Sequence, residues 1–499
     1  MLWSTLILKM VRLQEERKIN LMRIGIIGAG VAGLFTAIEL VNNGFKGSDI
    51  TIFDKGKDIE KRHCFVDDNT QCKKCKTCSI VNGVGGAGSF SDSKLNFDPS
   101  GKVGGEMNDL MTREEIIKYL IRVYGIYQQF GIEEFQSKMY GMNHNDAAKE
   151  ILRIIEEDPN MDITDCVTVH LGTENSRIIY GRMITFLKEH GVDIVSDTEI
   201  VDIKIDDVCT VYYKYKCKTN YSLYDDLLEE EQFDKVILAM GRSGNKAIKY
   251  ICESNDIEIT NGRVDYGVRI ETLNSIMAPL NDNFYEAKIH FNGTFGDKVR
   301  TFCTNPGGFV TIESYNTDRG KLFLANGHAY AGNKSDNTNF AILVSRAFNE
   351  DCPNPLESYL FPVIQATNSL GKGSVILQSL KDIKLNRRST EERIAELDIK
   401  PTANVYKGDL TSVIPYRALV DILEAIKELD KICPGIDGDN TLLYGLEAKF
   451  HANRVTIDKH GKTSNDKMYC IGDCSGMCRG LTTAASMGIL CAEDILKEI

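Results

Sequence analysis

An α/β fold, in which a doubly wound domain of parallel strands is discontinuous along the chain and a largely antiparallel β plus α domain is inserted into it, is predicted by three stretches of sequence. An apolar run and a glycine-rich turn lead into a helical pattern at 23–41. A second apolar run, at 233–239, ends at Gly241. A third, from Lys467, ends in Gly472-Asp473 ahead of a small-residue helical pattern at 480–496. Strands buried on both faces of a parallel sheet read as continuous apolar runs of this kind. Because such runs lie near both ends, the chain must leave the domain and return to it. Residues 22–100, 180–250 and 440–499 are therefore assigned to the doubly wound domain, 101–179 to a helical excursion, and 251–439 to the inserted domain.

Residues 1–21 read as an N-terminal extension. The apolar run 2–8 is followed by charged residues from Lys9 to Lys18, where a secretory signal would place small residues for cleavage, and Met22 is an alternative start. The first strand, Arg23-Ile24-Gly25-Ile26-Ile27, runs into Gly28-Ala29-Gly30-Val31-Ala32-Gly33, with Leu34, Ile38 and Val41 at helical spacing beyond. Gly28 permits the tight turn, Gly30 lets a pyrophosphate approach the backbone, and Gly33 lets helix and strand pack closely. The helix N-terminus then faces the phosphate charge. A second strand at 50–53 ends at Asp54 and Lys55, where an acidic side chain can bind ribose hydroxyls and would repel a 2′-phosphate. Strand, glycine turn, helix and acid together make a Rossmann-type dinucleotide site, without deciding which dinucleotide.

Next come Cys64, Cys72, Cys75 and Cys78, spaced C-x7-C-x2-C-x2-C, with Lys73, Lys74 and Lys76 among them. Four thiolates suffice for a 4Fe-4S cluster or structural zinc (Zn). The lysines would lower the thiol pKa values, as a redox-active pair requires, and ordinary small residues are the third reading. The loop that follows, Gly83-Val-Gly85-Gly86-Ala87-Gly88-Ser89-Phe90, has too many glycines for a helix or strand and is expected to bring its backbone close to a ligand.

Residues 181–201 have the pattern of helix, His-Gly turn and strand. The charged 225–233 stretch reads as an exposed turn or helix. In the inserted domain 263–270, 298–302 and 309–313 alternate as strands, and 421–431 is a short amphipathic helix. Gly371-x-Gly373 lacks a third glycine and a βαβ pattern, so a second, nicotinamide-binding domain is not predicted.

The stretches around Gly241 and Gly472-Asp473 resemble glutathione-reductase-type flavoproteins. That resemblance implies FAD as the dinucleotide: Asp473 on a ribityl hydroxyl, the helix start at Leu481 and Thr482 facing the isoalloxazine, Gly241 passing beside the cofactor, and backbone near Val201 on the adenine. With Arg300-Thr-Phe-Cys303-Thr-Asn-Pro306-Gly307-Gly308 and Asp336-Asn-Thr-Asn-Phe340, the glycine loop is similar to a bacterial family of FAD-dependent or NAD(FAD)-utilizing dehydrogenases, over nearly the whole chain from Met22. It implies that Gly86, Ala87, Gly88 and Ser89 lie along the pyrophosphate and flavin. Ser93 departs from the glycine often found after the Ser-Asp pair. By position, Lys94, Cys303 and Arg479 are the candidate catalytic residues, with Glu447 and Lys449 behind them.

The chain has 499 residues, enough for two or three domains without disulfide support. Its net charge of −12 argues against nucleic acid as a partner. No apolar run approaches the ~18 residues a membrane span needs, and 15 cysteines in an odd, clustered set are expected to be reduced thiols in the cytoplasm. The expected function is an FAD-dependent oxidoreductase acting on a small-molecule substrate, with a nicotinamide or ferredoxin-like electron donor. Thiol–disulfide reduction through Cys64 to Cys78 and a non-catalytic FAD redox sensor are the alternatives.

Overall fold

The computed structural model of the chain describes residues 22–63, 77–91, 93–135, 138–141, 144–164, 166–215, 228–260, 264–284, 288–317, 320–328, 334–346, 348, 352, 354–449 and 453–499. The expected extension 1–21 lies outside them. The chain divides into two units, Met1–Met139, Val167–Thr260 and Ala452–Ile499 forming the first, and Tyr140–Cys166 and Asn261–His451 the second.

At the centre of the first unit a parallel sheet runs in the order Met468–Cys470, Lys235–Leu238, Ile24–Ile27, Ile50–Phe53, Asp193–Val195. All three runs read from sequence are neighbouring strands here. Ile24–Ile27 is buried at every position, as a central strand covered on both faces requires. The helices Val31–Asn42 and Leu481–Leu496 pack against each other so closely that a Cβ on Gly488 would lie 2.5 Å from the Ala32 carbonyl oxygen. The two ends of the chain thus share one core.

The charged 225–233 stretch is corrected: Glu229–Phe233 is a strand, antiparallel to Cys209–Tyr215 at the edge of a three-stranded sheet completed by Thr198–Ile205. Charged residues on an edge strand block further pairing, which is why the stretch lacks an apolar signature. Two boundaries also differ. Residues 442–449 do not belong with the parallel sheet, because Leu442–Lys449 is an inner strand of the second unit, paired with Val264–Leu273 and Ile376–Ser379. Nor is 101–179 one excursion: the helix Arg113–Gln129 stays in the first unit, and the helix Asp146–Glu156 lies in the second.

The second unit is built on an eight-stranded sheet whose strands pair antiparallel apart from the parallel edge pair Ile376–Ser379 and Tyr406–Lys407. Along Val264–Leu273, Val264, Tyr266, Val268 and Ile270 enter a core shared with the helix Tyr416–Leu429, while Asp265, Arg269 and Glu271 alternate to the other face. No helix of the described residues is long and apolar enough to cross a membrane.

Candidate functional site

The glycines of the first turn separate by what surrounds them. Gly28 has φ +116°, donates its N–H to the Phe53 carbonyl at 2.7 Å, and a Cβ there would meet the Ala239 carbonyl oxygen at 2.3 Å. A Cβ on Gly33 would lie 2.2 Å from the Gly28 carbonyl oxygen. Protein packing accounts for both. Gly30 is different: its backbone is extended (φ −82°, ψ −174°), open to any residue, and a Cβ would find only the Gly86 Cα, at 3.9 Å. The space in front of it is a cleft of about 620 Å³. Gly30 also precedes the helix Val31–Asn42, which has neither a side-chain cap nor an acid in its first turn. Its free N–H groups and positive dipole end make an anion site.

The cleft lies within the first unit and is lined from opposite ends of the sequence: by Gly28, Val31 and Ala32, by Asp54 and Lys55, by residues 86–88, by 239–241, and by Gly472, Asp473 and Leu481. Asp54 accepts hydrogen bonds from the N–H groups of Ala29 (3.0 Å) and Gly56 (2.8 Å). Burial pushes its carboxyl pKa up, and those two donors oppose the shift. Each oxygen keeps a lone pair for a ribose hydroxyl. On the other wall, the Gly104 carbonyl accepts from the N–H groups of Arg479 (2.6 Å) and Gly480 (2.7 Å) and from the Thr483 hydroxyl (2.6 Å). This clamp fixes the start of the helix Leu481–Leu496 beside the cleft, which Arg479 also lines, its Nη2 3.8 Å from Glu106 Oε1.

The glycine loop is held by a residue that no sequence pattern marked. Arg62, 1% exposed, donates from Nε to the Ser79 carbonyl, from Nη2 to Ile80, and from Nη1 to Val84, Gly86 and the Ser89 hydroxyl, all at 2.8–2.9 Å. Burial lowers its pKa to about 10. The guanidiniums of Arg62 and Arg177 stand 4.0 and 4.4 Å from the centroid of the Phe90 ring. So braced, the loop brings Gly86, at φ +64°, so near the first turn that a Cβ would stand 2.8 Å from the Gly30 Cα. The two glycine segments are in contact and line the cleft side by side, with the Gly85 N–H donating to the Ala29 carbonyl at 2.8 Å.

Several expected contacts fall elsewhere. Ala29 and Gly33 are packed inside the turn, and the Ser89 hydroxyl is spent on Gly86 and Arg62. Val201 is replaced at the cleft by Thr198, Glu199 and Ile200: the pairing register shifts between Ile200 and Asp202, and Val201 sits 44% exposed in that bulge. Thr482 is buried and donates its hydroxyl to the Asn96 carbonyl at 2.5 Å. Lys94 pairs with His170 in a separate antiparallel sheet and does not line the cleft. Cys303 belongs to the second unit, at φ +52° in a bulge, its carbonyl accepting from Arg269 Nη2 at 2.9 Å. Lys246 lines the cleft without having been singled out.

Of the four-cysteine group, Cys64, Cys72 and Cys75 lie outside the described residues, and Cys78 is exposed. Among the described residues no group of three or more His, Cys, Asp or Glu side chains is placed to hold a metal ion. Cys470 and Cys478, flanking Asp473, are fully buried. The neighbouring Cys474 thiol, then burial, pushes the Cys470 pKa up, and burial does so for Cys478. Both are held as neutral thiols and fill space.

Residues 267–450, which make up most of the second unit, match the family model described as FAD-dependent protein, C-terminal domain-like. No curated protein matches the chain. Among solved structures it is similar to the crystal structure of AlpK (11% identity, TM-score 0.33, covering 95% of this chain and 61% of that one). It is also similar to a variant of FrdA from the E. coli quinol fumarate reductase (11%, 0.41, 95% and 70%) and to CabE, an aromatic hydroxylase from angucycline biosynthesis (10%, 0.34, 95% and 63%). The chain spans less than two thirds of the length of AlpK and CabE.

Proposed function

We propose that this chain is an FAD-dependent oxidoreductase acting on a small organic substrate. The observation that carries the reading is Gly30: neither its backbone angles nor its packing calls for glycine, yet it opens the cleft at an uncapped helix N-terminus, beside a second glycine loop. A dinucleotide pyrophosphate is the ligand for which that arrangement is suited. The family description attached to residues 267–450 supports FAD over NAD.

On this reading the amides of Val31 and Ala32 receive the pyrophosphate, Asp54 takes a ribose hydroxyl, Asp473 takes a ribityl hydroxyl, and the amide of Leu481 lies toward the isoalloxazine. When bound, FAD supplies the redox chemistry by accepting or donating electrons at its ring system. The glycine loop excludes water from the phosphate end. Electrons would reach or leave the site through the substrate, a nicotinamide or a ferredoxin-like partner, with the group Cys64, Cys72, Cys75 and Cys78 as candidate relay.

The test is a visible spectrum of the chain purified without oxygen, with the released cofactor identified and iron, zinc and acid-labile sulfide assayed on the same sample. Flavin bands from stoichiometric FAD are expected, bleaching on reduction. Absence of flavin, even after FAD is added back, would overturn the reading. Iron and sulfide lost from a Cys72→Ser, Cys75→Ser, Cys78→Ser variant would assign the relay, and flavin alone would remove it.

A further inference from the structure

Asp54 marks the ribose end of the cleft in the first unit, and two hydrogen bonds show which side chains lie beyond it. The Asp54 carbonyl accepts from the Thr198 N–H at 2.9 Å, which sets Glu199 next along the strand Thr198–Ile205. Lys55 Nζ donates to the Ser243 carbonyl at 3.3 Å, which brings Lys246, in the first turn of the helix Asn245–Ser254, to the same end. Asn255, at the close of that helix, ties it to the strand: its Nδ2 donates to the Ile203 carbonyl at 2.8 Å, and its Oδ1 accepts from the Ile205 N–H at 3.1 Å. Glu199 and Lys246 are both exposed, and both line the cleft.

The polar side chains around these two are already engaged. Lys55 holds Ser243, the Ser243 hydroxyl donates to Asn82 Oδ1 at 2.8 Å, the Asn82 amide donates to the Cys78 carbonyl at 3.2 Å, and the Thr198 hydroxyl donates to the Ser196 carbonyl at 3.1 Å. Glu199 and Lys246 have no hydrogen bond or ion pair among the described residues, and Lys214, opposite Glu199 in the strand pairing, forms none with it. A carboxylate only accepts and an ammonium only donates. Adenine presents a donor, its 6-amino group, beside a ring-nitrogen acceptor, whereas a 6-oxo purine presents a carbonyl oxygen where adenine has the amino group. One accepting and one donating side chain, placed where a base follows its ribose, match adenine, and the carboxylate repels the 6-oxo group. We propose that Glu199 and Lys246 read the adenine of the dinucleotide, Glu199 accepting from the 6-amino group and Lys246 donating to a ring nitrogen. The assignment deepens the FAD reading above and rests on it for the position of the ribose.

Calorimetric titration of the full chain, FAD-free and FAD-loaded, with ADP and with IDP tests the proposal, because the two nucleotides differ only along the edge that carries the 6-substituent. ADP is expected to bind the FAD-free chain about tenfold tighter than IDP, and FAD loading is expected to abolish binding of both. Glu199→Gln, whose amide can donate as well as accept, should bring the two affinities to within threefold of each other. Lys246→Met should weaken ADP about fivefold and IDP less than twofold. Equal affinity of the unmodified chain for ADP and IDP would overturn the proposal, and that comparison needs no variant. ADP binding that survives FAD loading would place the nucleotide elsewhere and equally overturn it. An equal loss of both nucleotides in Lys246→Met would mean attraction of the diphosphate and overturn the role of that lysine. ADP preference in a chain that takes up no FAD would uphold the adenine site while sinking the redox reading. FAD uptake without the preference would overturn the adenine assignment alone.

Discussion

Replacing Arg62 by methionine keeps the length and apolar stem of the side chain and removes all the donors that hold the loop before Lys94. Within 2.9 Å the guanidinium serves four backbone carbonyls and one hydroxyl, at residues 79, 80, 84, 86 and 89, with the Gly83 carbonyl farther off at 3.4 Å. At ~1 kcal/mol net for each such bond the ceiling is about 5 kcal/mol. The carbonyl of Gly86 adjoins the cleft, where water can replace the lost donor, and the Ser89 hydroxyl keeps its own bond to Gly86, so three bonds are lost outright and the expected local cost is about 3 kcal/mol. Because the loop packs on the first turn and lines the cleft beside Gly30, that cost appears in binding on the proposed reading: FAD affinity should fall by about a hundredfold. The parallel sheet does not depend on this loop, so the thermal midpoint of the FAD-free chain should shift by only a few degrees. The assay is titration of FAD-free protein with FAD followed by flavin fluorescence, alongside thermal unfolding without cofactor. A dissociation constant for Arg62→Met within threefold of the unmodified chain would refute the view that this residue positions the loop. Arg62→Lys, with three donors on one nitrogen, should fall between.

Gly30→Ala and Gly33→Ala should divide cleanly. The first places its methyl in the open cleft and should weaken FAD at least tenfold with little change in unfolding midpoint, and the second collides with the Gly28 carbonyl and should destabilise the chain by about 1–3 kcal/mol, both read by the same titration and melting curves. Asp421, fully buried in the second unit with no donor on either oxygen among the described residues, is raised from 3.8 to about 6 by burial and then by the neighbouring Asp297. Its folded form therefore keeps a proton that the unfolded chain has released between about pH 4 and pH 6, and stability from this group is lost as pH rises through that window. Linkage sets a ceiling of about 3 kcal/mol, reduced by screening around Asp297 and its partner Arg417, so Asp421→Asn should gain about 1 kcal/mol at pH 7.5 and nothing near pH 4. An equal gain at both pH values in thermal unfolding would refute the assignment.

The parts of the site legible in the sequence were those written in short-range pattern. The turn from Gly28 to Gly33 combines strand, glycine spacing and helix within twenty residues, and the sheet places it where that pattern says. Gly241 and Gly472 were legible because each ends an apolar strand. What escaped depends on partners distant along the chain or on a shift of one residue. Arg62 looks like any charged residue until the loop folds over it. A bulge at Val201 passes contact with the cleft to its neighbours, and nothing local announces which of two adjacent residues will be the extra one. Thr482 turns inward because the Asn96 carbonyl is there to meet it. Residues from 440 onward adjoin the last apolar run of the chain and were assigned with it, but which sheet claims Leu442–Lys449 is decided by pairing with residues 264–273.

The strand order of the parallel sheet also bears on how the molecule is made. Lys235–Leu238 lies between Ile24–Ile27 and Met468–Cys470, and the helix Val31–Asn42 rests on the helix Leu481–Leu496. On the ribosome, the helix Val31–Asn42 emerges long before the partner that will cover Ala32, because translation proceeds from the N-terminus at about 5–20 residues each second. During that interval an apolar surface waits for a helix not yet synthesised. The second unit, enclosed between those ends, can complete its own sheet first. Completion of the cleft is thereby tied to synthesis of residues 472–496, and the nascent chain is exposed to chaperone capture until Leu481–Leu496 docks.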